Sequence, residues 1–393
     1  MINEIKQLSE NCFQEIINIR RYLHSHPELS FNELNTSKYI KKVLKKWNIP
    51  FIDNVANNGV VVVLNGVNPN SKTIALRADI DALPIQEKNE VCYRSKNDGI
   101  MHACGHDVHT ASLLGTLKIL NDLKNKWHGA IKFIFQPAEE MLPGGALQMI
   151  NEGVLKNPKV DLIMAQHVYP ELDVGQVGFC AGKYMASTDE LHINVTGISG
   201  HAALPEKYNN PILVACNLVS ELENYFSKYR DAPSIFAIGF FEGLGSTNII
   251  PETVVLKGTF RAMNEKFRKI SHEKMKTIAA KIASKHSAKI NFDIINGYPF
   301  LVNDIAFTNK NICLAKKYLG EKNVVELPIR MTAEDFAYYS HILPSCFYRL
   351  GIRNKDKGII HGLHTSKFDI DENALKIGMG LLSYLTTQHL KNN

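Results

Sequence analysis

No uninterrupted apolar run in this chain approaches the roughly 18 residues that a membrane-crossing helix needs, so the sequence predicts no membrane partner. The first residues, Met1 to Leu8, include Glu4 and have no apolar centre, which argues against a secretory leader. Cysteine is scarce. Seven are scattered without paired spacing, an odd number that speaks against a disulfide framework and for a reducing, cytoplasmic setting. No charge of one sign dominates. The 45 basic residues against 39 acidic ones leave a net +6, too mild to imply a nucleic-acid partner. The pairs Lys41-Lys42 and Lys45-Lys46 read as a solvated helix face. Internal repeats and low-complexity segments are also missing. Gly243-Leu244-Gly245-Ser246 has no phosphate-loop lysine and reads as a turn. What is plentiful is histidine, with fifteen residues placed unevenly.

At 393 residues and 45% apolar content, the chain is globular and long enough for two or three domains. Ile5, Leu8, Ile16, Ile19 and Leu23 recur at helical spacing before Pro27, and Thr36 to Trp47 predicts a second helix. Strand-length apolar runs follow at Val60–Leu64, Thr73–Ala78, Ala130–Phe135 and Leu162–Ala165, with helices between them. The runs do not alternate, which fits strands buried on both faces and partly parallel. Asp107 or Thr110 is the expected cap of the helix carrying Leu113, Leu114, Leu117 and Leu120. The rhythm changes near Ser187. A strand at Leu191–Val195 precedes a helix at Asn210–Tyr229 and strands at Ser234–Phe241 and Val254–Ala262. A helix at Phe267–Ser284 and a strand at Lys289–Ile295 complete a β-α-β-β-α-β order, typical of a small ferredoxin-like domain. After Gly297-Tyr298-Pro299 the first rhythm resumes, with helices expected around Asp304–Tyr318, around Glu334–His341 and from about Asp371. The expected fold is therefore α/β: a large domain with a mixed, partly parallel sheet flanked by helices, covering 1–186 and 298–393. It is interrupted by a smaller domain over 187–297.

Met101-His102-Ala103-Cys104-Gly105-His106-Asp107-Val108-His109 is the densest cluster of ligand-type residues. In extended backbone His102, Cys104 and His106 share one side. Imidazole and thiolate suit zinc and similar borderline ions. Any one of these residues alone would read as an ordinary core residue. Phe135-Gln136-Pro137-Ala138-Glu139-Glu140 adds two carboxylates just past an apolar strand. Extended backbone would turn them opposite ways, one toward metal and one free to act as base. His167 ends the next apolar run, Asp79 and Asp81 follow another, and His361 and His364 occupy a loop near the C-terminus. Ligand-type groups at so many strand and loop ends fit one or two divalent ions with open positions, hence hydrolysis of an amide or similar bond. Zinc-dependent deamination is disfavoured, because its H-x-E and P-C-x-x-C motifs are missing.

These motifs resemble the metal-dependent aminoacylase and carboxypeptidase family, in its branch of hippurate hydrolases, auxin-conjugate amidohydrolases and N-acetyldiaminopimelate deacetylases. The matching stretches are HSHPELSFNE from His24, LRADIDALPI from Leu76, MHACGHDVHTASLLG from Met101 and FQPAEE from Phe135. GHAALP from Gly200, NIIPETVVLKGTFR from Asn248, MTAEDFAYY from Met331 and HTSKFDIDE from His364 extend the match in order along the chain. The resemblance implies that the large domain is catalytic and that the inserted one is a lid and dimerisation domain, making a homodimer. It implies two divalent ions per subunit (zinc, manganese, cobalt or nickel) on Cys104, His106, Glu140, His167 and His364, with Cys104 between them. Glu139 would be the general base and acid, and Asp81 would orient a ligand or the base. Asp79 sits where other branches place a histidine ligand. His102 and His109 would support the ligands, and Glu334 and Asp335 would be supporting acids. His201 would reach the partner subunit's site to stabilise the oxyanion. Asn248 and Arg261 match substrate-binding positions, although Arg261 reads equally well as an interdomain salt bridge.

The expected activity is cleavage of N-acyl amino acids, with acetyl, benzoyl or related acyl groups, to the acid and free amino acid. Two alternatives stand beside it. One is a carboxypeptidase or dipeptidase on the same binuclear site. The other is a catalytically silent metal-binding protein, against which Glu139, Asp81 and His201 argue.

Overall fold

A computed structural model describes residues 1–228 and 233–391. Tyr229, the expected end of one helix, and the last two residues lie outside the described residues. Two compact units are present. The first comprises Met1–Gly182, Val302–Pro328 and Asp335–Asn393; the second comprises Lys183–Leu301 and Ile329–Glu334.

In the first unit the central strands are rich in Ile, Leu and Phe, and even their Arg77, Asp79, Lys132 and Gln136 are buried, so the sheet is covered on both sides. Thr73–Asp79 and Ala130–Gln136 are buried at every position. The eight-stranded sheet runs in the order Ile52–Val55, Gly59–Asn65, Ala130–Gln136, Thr73–Asp79, Leu162–Asp173, Ser345–Arg353, Val177–Phe179, Val324–Glu326. Its centre is parallel: Thr73–Asp79 pairs with Ala130–Gln136, putting Asp79 opposite Gln136, and with Leu162–Asp173 on its other side. Asp79, Glu139 and Glu140 lie at or just beyond the carboxyl ends of these strands, the usual location of sites in α/β sheets, and His167 lies just past the end of the pairing between Leu162–Asp173 and Thr73–Asp79. The His106–Asp122 helix is buried around nearly its whole circumference, because the Ile2–Ser25 and Asn373–His389 helices both pack on it. Ile16, Leu113, Leu117, Met379 and Leu382 belong to this core.

Three local expectations are corrected. Neither Asp107 nor Thr110 caps the His106–Asp122 helix. Gly105, at φ 83°, turns the chain into it, while Asp107 binds Arg20 and His24. Leu162–Asp173 continues well past Ala165 because Ser345–Arg353 pairs alongside it as far as Asp173. Only Ala337–Ser340 is α-helical in the stretch expected to be helical from Glu334.

The second unit has a four-stranded antiparallel sheet in the order Ser234–Glu242, Thr253–Ala262, Asp189–Thr196, Lys289–Asn296. Its helices are Pro211–Phe226, capped by the Asn210 side chain, and Glu265–Lys285, capped by Asn264. Leu191, Ile193, Leu218, Leu222, Phe260 and Met275 form its core. Beside that core Asp189 accepts hydrogen bonds from Arg268 and His272.

Among the described residues, no helix is long and apolar enough to cross a membrane.

Candidate metal centre

Two groups of potential ligands meet at one sulfur. Cys104, His106 and His167 bring one ligand atom each within 4.8 Å of one another, and so do Cys104, Glu140 and His364. Cys104 Sγ lies 3.5 Å from His167 Nε2 and 3.3 Å from His364 Nε2. His364 Nε2 is 3.3 Å from Glu140 Oε1. The local chain explains this convergence. Gly105 lies against Val168, where a Cβ would come within 2.4 Å of a Val168 methyl, so the turn between Cys104 and His106 can sit directly on the strand carrying His167. His364, at φ 59°, donates its backbone N–H to Ala103, tying the C-terminal loop beside Cys104.

Glu139 and Glu140 do not diverge as extended backbone would require. The strand stops at Gln136, and Ala138 adopts φ 53°. Glu139, Glu140 and His106 consequently form a group within the same 4.8 Å limit. Three residues shape this loop. Glu33 accepts from Ala138 N, Gly145 N donates to Ala138 O, and Asp335 N donates to Glu139 Oε1 at 3.4 Å. Asp335 also accepts from Arg77, Gln136 and Ala146, so the expected supporting acid is the hub of a buried network.

Asp81 is fully buried. One oxygen accepts from His106 Nδ1 at 3.0 Å; the other accepts from Ser30 Oγ at 2.7 Å and Glu140 N at 3.0 Å. Asp79 accepts from Arg77 Nη1 at 2.7 Å and His109 Nδ1 at 2.6 Å, and its Oδ2 lies 3.6 Å from His106 Nε2. His102 is buried but joins neither group at Cys104. Burial pushes its imidazole down to about 4, so the ring is neutral.

The electrostatics call for a cation. Burial raises the Cys104 thiol well above its ordinary range, and Glu140, Glu139 and Asp79 raise it further. Burial opposes a charge on His106, but Asp79, Asp81 and Glu140 outweigh it and push the imidazole up to about 10. Burial lowers His167, helped by Arg349 and His109, keeping it neutral as a ligand must be. Among the described residues, buried His106 Nε2 has no hydrogen-bond partner. A buried ring nitrogen without a partner and crowded carboxylates are costly, and a cation between them would relieve both. Mixed thiolate, imidazole and carboxylate donors fit borderline divalent ions.

The remaining expected site residues lie in the second unit. His201 and Asn248 share a small corner. Gly200–His201 pairs with Ile249–Ile250, and Ala202 N donates to Asn248 O. His201 is exposed, with Nδ1 accepting from Ala203 N at 3.1 Å. Arg261, half-buried, donates to Met331 O at 3.2 Å. Sequence reasoning missed Ser30, Glu33, Arg77 and Gln136. The first two lie within the HSHPELSFNE stretch, which was the available signal.

The chain is 37% identical over 302 residues to an N-acyl-L-amino acid amidohydrolase of Geobacillus stearothermophilus, covering 76% of this chain and 81% of that one. It is 34% identical over 380 residues to thermostable carboxypeptidase 2 of Saccharolobus solfataricus, covering 96% and 94%. The structure of the Bacillus subtilis YXEP protein, described as a dinuclear metal binding peptidase, superposes with TM-score 0.81. It is 33% identical, with 97% and 99% of the two chains covered. A model of peptidase family M20/M25/M40 matches residues 75–388, and the chain belongs to that family.

Proposed function

We propose that the protein is a metal-dependent amidohydrolase that cleaves the amide bond of N-acyl amino acids. The observation that carries this reading is the position of Cys104 in two ligand groups at once, with Glu139 beside them. His106 and His167 would hold one divalent ion, Glu140 and His364 the other, and the Cys104 thiolate both. Zinc, manganese, cobalt and nickel all suit these donors. Bound there, the ions would polarise the substrate carbonyl and acidify water.

Glu139 takes a proton from the attacking water as its oxygen bonds to the amide carbon. It then delivers that proton to the nitrogen as the C–N bond breaks. Asp335 N holds one oxygen of Glu139, and Asp81 fixes His106 and the Glu140 backbone. The large domain is catalytic and the inserted domain acts as lid and dimer interface. His201 of the partner subunit donates to the oxyanion, while Asn248 and Arg261 hold the substrate carbonyl and carboxylate. The reading includes a cytoplasmic homodimer, and seven free thiols are compatible with a reducing compartment.

A dipeptidase or carboxypeptidase activity is the second reading, supported by the carboxypeptidase-named relative. A panel of acetyl-, benzoyl- and indoleacetyl-amino acids against dipeptides, on protein reconstituted with each metal, separates the two. Wild type should turn over an acyl-amino acid fastest. A Glu139→Ala variant should bind metal normally and lose about 10²–10⁴-fold in kcat. Normal turnover by that variant would sink the assignment.

A further inference from the structure

The geometry points to His109 as a positioning residue that fixes His167 for one of the two ions, acting through the backbone of Val168. This rests on the binuclear reading above and adds a role for a buried imidazole that the reaction does not touch.

The strand Leu162–Asp173 is paired with Thr73–Asp79 only as far as Ala165, opposite Arg77. Beyond that point its polar groups on that edge need other partners. Two imidazoles supply them at Val168. Val168 N donates to His109 Nε2 at 2.9 Å, and Val168 O lies 2.8 Å from His167 Nδ1. A backbone N–H can only donate, so His109 Nε2 is the unprotonated nitrogen and Nδ1 gives its proton to Asp79 Oδ1. A backbone carbonyl can only accept, so His167 carries its proton on Nδ1. Its free lone pair, on Nε2, faces Cys104 Sγ.

The far end of the relay is equally constrained. Asp79 is anchored by Arg77 Nη1 at its other oxygen and by Thr110 Oγ1 at its backbone carbonyl, 2.9 Å away. Gly105 lies hard against the Val168 side chain, leaving that residue little room to shift. Asp79, His106 and His109 do form a group that could geometrically hold an ion. Both nitrogens of His109 are already engaged, however, so it acts on His167 rather than as a ligand.

The test is titration of wild type, His109→Leu and His109→Gln with Mn²⁺ alone, followed by calorimetry and by metal content after dialysis. Wild type should take two equivalents. His109→Leu, which removes the acceptor, should keep one ion unchanged and bind the second about 10–100-fold more weakly. His109→Gln, whose amide oxygen can again accept from Val168 N, should recover most of that loss. If wild type binds fewer than two ions, the binuclear reading fails and this inference falls with it. If wild type binds two and folded His109→Leu binds both with unchanged affinity, the positioning role alone is overturned. Should His109→Leu not fold, the ¹⁵N-histidine spectrum of wild type decides. A proton on His109 Nδ1, with Nε2 unshifted by metal, supports the role; a ligand-type shift at Nε2 overturns it.

Discussion

Asp81 accepts a hydrogen bond from His106 Nδ1 at 3.0 Å, which leaves Nε2 of that ring as the lone pair facing the centre. The second oxygen of Asp81 accepts from Glu140 N, so one carboxylate orients a donor in each proposed ion site. Asp81→Ala should therefore weaken both ions, each by about 10–100-fold. His109→Leu should weaken only one. Manganese titrations of the two variants side by side check this contrast, and an Asp81→Ala protein with a single weakened ion would contradict it.

How far this arrangement could be read from the sequence varies residue by residue. Ligand-type side chains stand out at strand and loop ends, but spacing alone groups His102 with Cys104 and His106; the set Cys104, His106, His167 and His364 comes from the resemblance, and the structure brings those four together around Cys104. The β-α-β-β-α-β order was legible because burial imposes apolar periodicity on each element. The divergence that extended backbone predicts for Glu139 and Glu140 fails, because Ala138 bends that loop through positive φ. Glu33 and Ser30 were missed as supports because their partners, Ala138 N and Asp81, lie far away in sequence. Asp107 is not the cap that its position predicts, for the same reason. Its partners Arg20 and His24 come from the first helix, and local propensity carries no information about them.

Glu33 makes the stability of the metal-free protein pH-dependent. Burial, with Asp81 nearby, pushes its carboxyl from 4.5 up to about 7. A raised acid pKa means the folded state favours the proton. The stabilisation is complete below about 4.5 and is lost as pH rises through about 7, a span of roughly 3 kcal/mol. Glu33→Gln cannot ionise, so the difference in urea stability between it and wild type should shift in the variant's favour across that window. A difference that stays constant from pH 4.5 to 7 would contradict the assignment.

Gly145 supports the same loop by being small. A Cβ there would lie 1.8 Å from Pro137 O, and that backbone atom cannot simply rotate away. Gly145→Ala should cost about 1–3 kcal/mol and displace Glu139. Its kcat should fall more than its metal affinity. Gly239, in a strand of the second unit, has open space where a Cβ would stand. Gly239→Ala is the control, with stability expected within about 0.5 kcal/mol of wild type. Equal losses in the two variants would show that the steric argument at Pro137 is wrong.

Metal removal gives the most direct check on the shared role of Cys104. An ion that binds only the folded chain stabilises it by RT ln(1 + [M]/Kd), about 2.7 kcal/mol per site at a hundredfold excess over Kd. The melting temperature of wild type should therefore fall on chelation and rise again with added Mn²⁺. Cys104→Ser replaces the buried sulfur with an oxygen that remains a protonated hydroxyl and so supplies no charge to two cations. Its metal-free melting point should match that of metal-free wild type closely, because serine is close to cysteine in size and its hydroxyl can hydrogen-bond the same His167 and His364 rings. Its metal-dependent rise should be largely gone, for both ions together. If only one increment disappears, Cys104 belongs to one ion and the two groups meeting at its sulfur do not act as a pair.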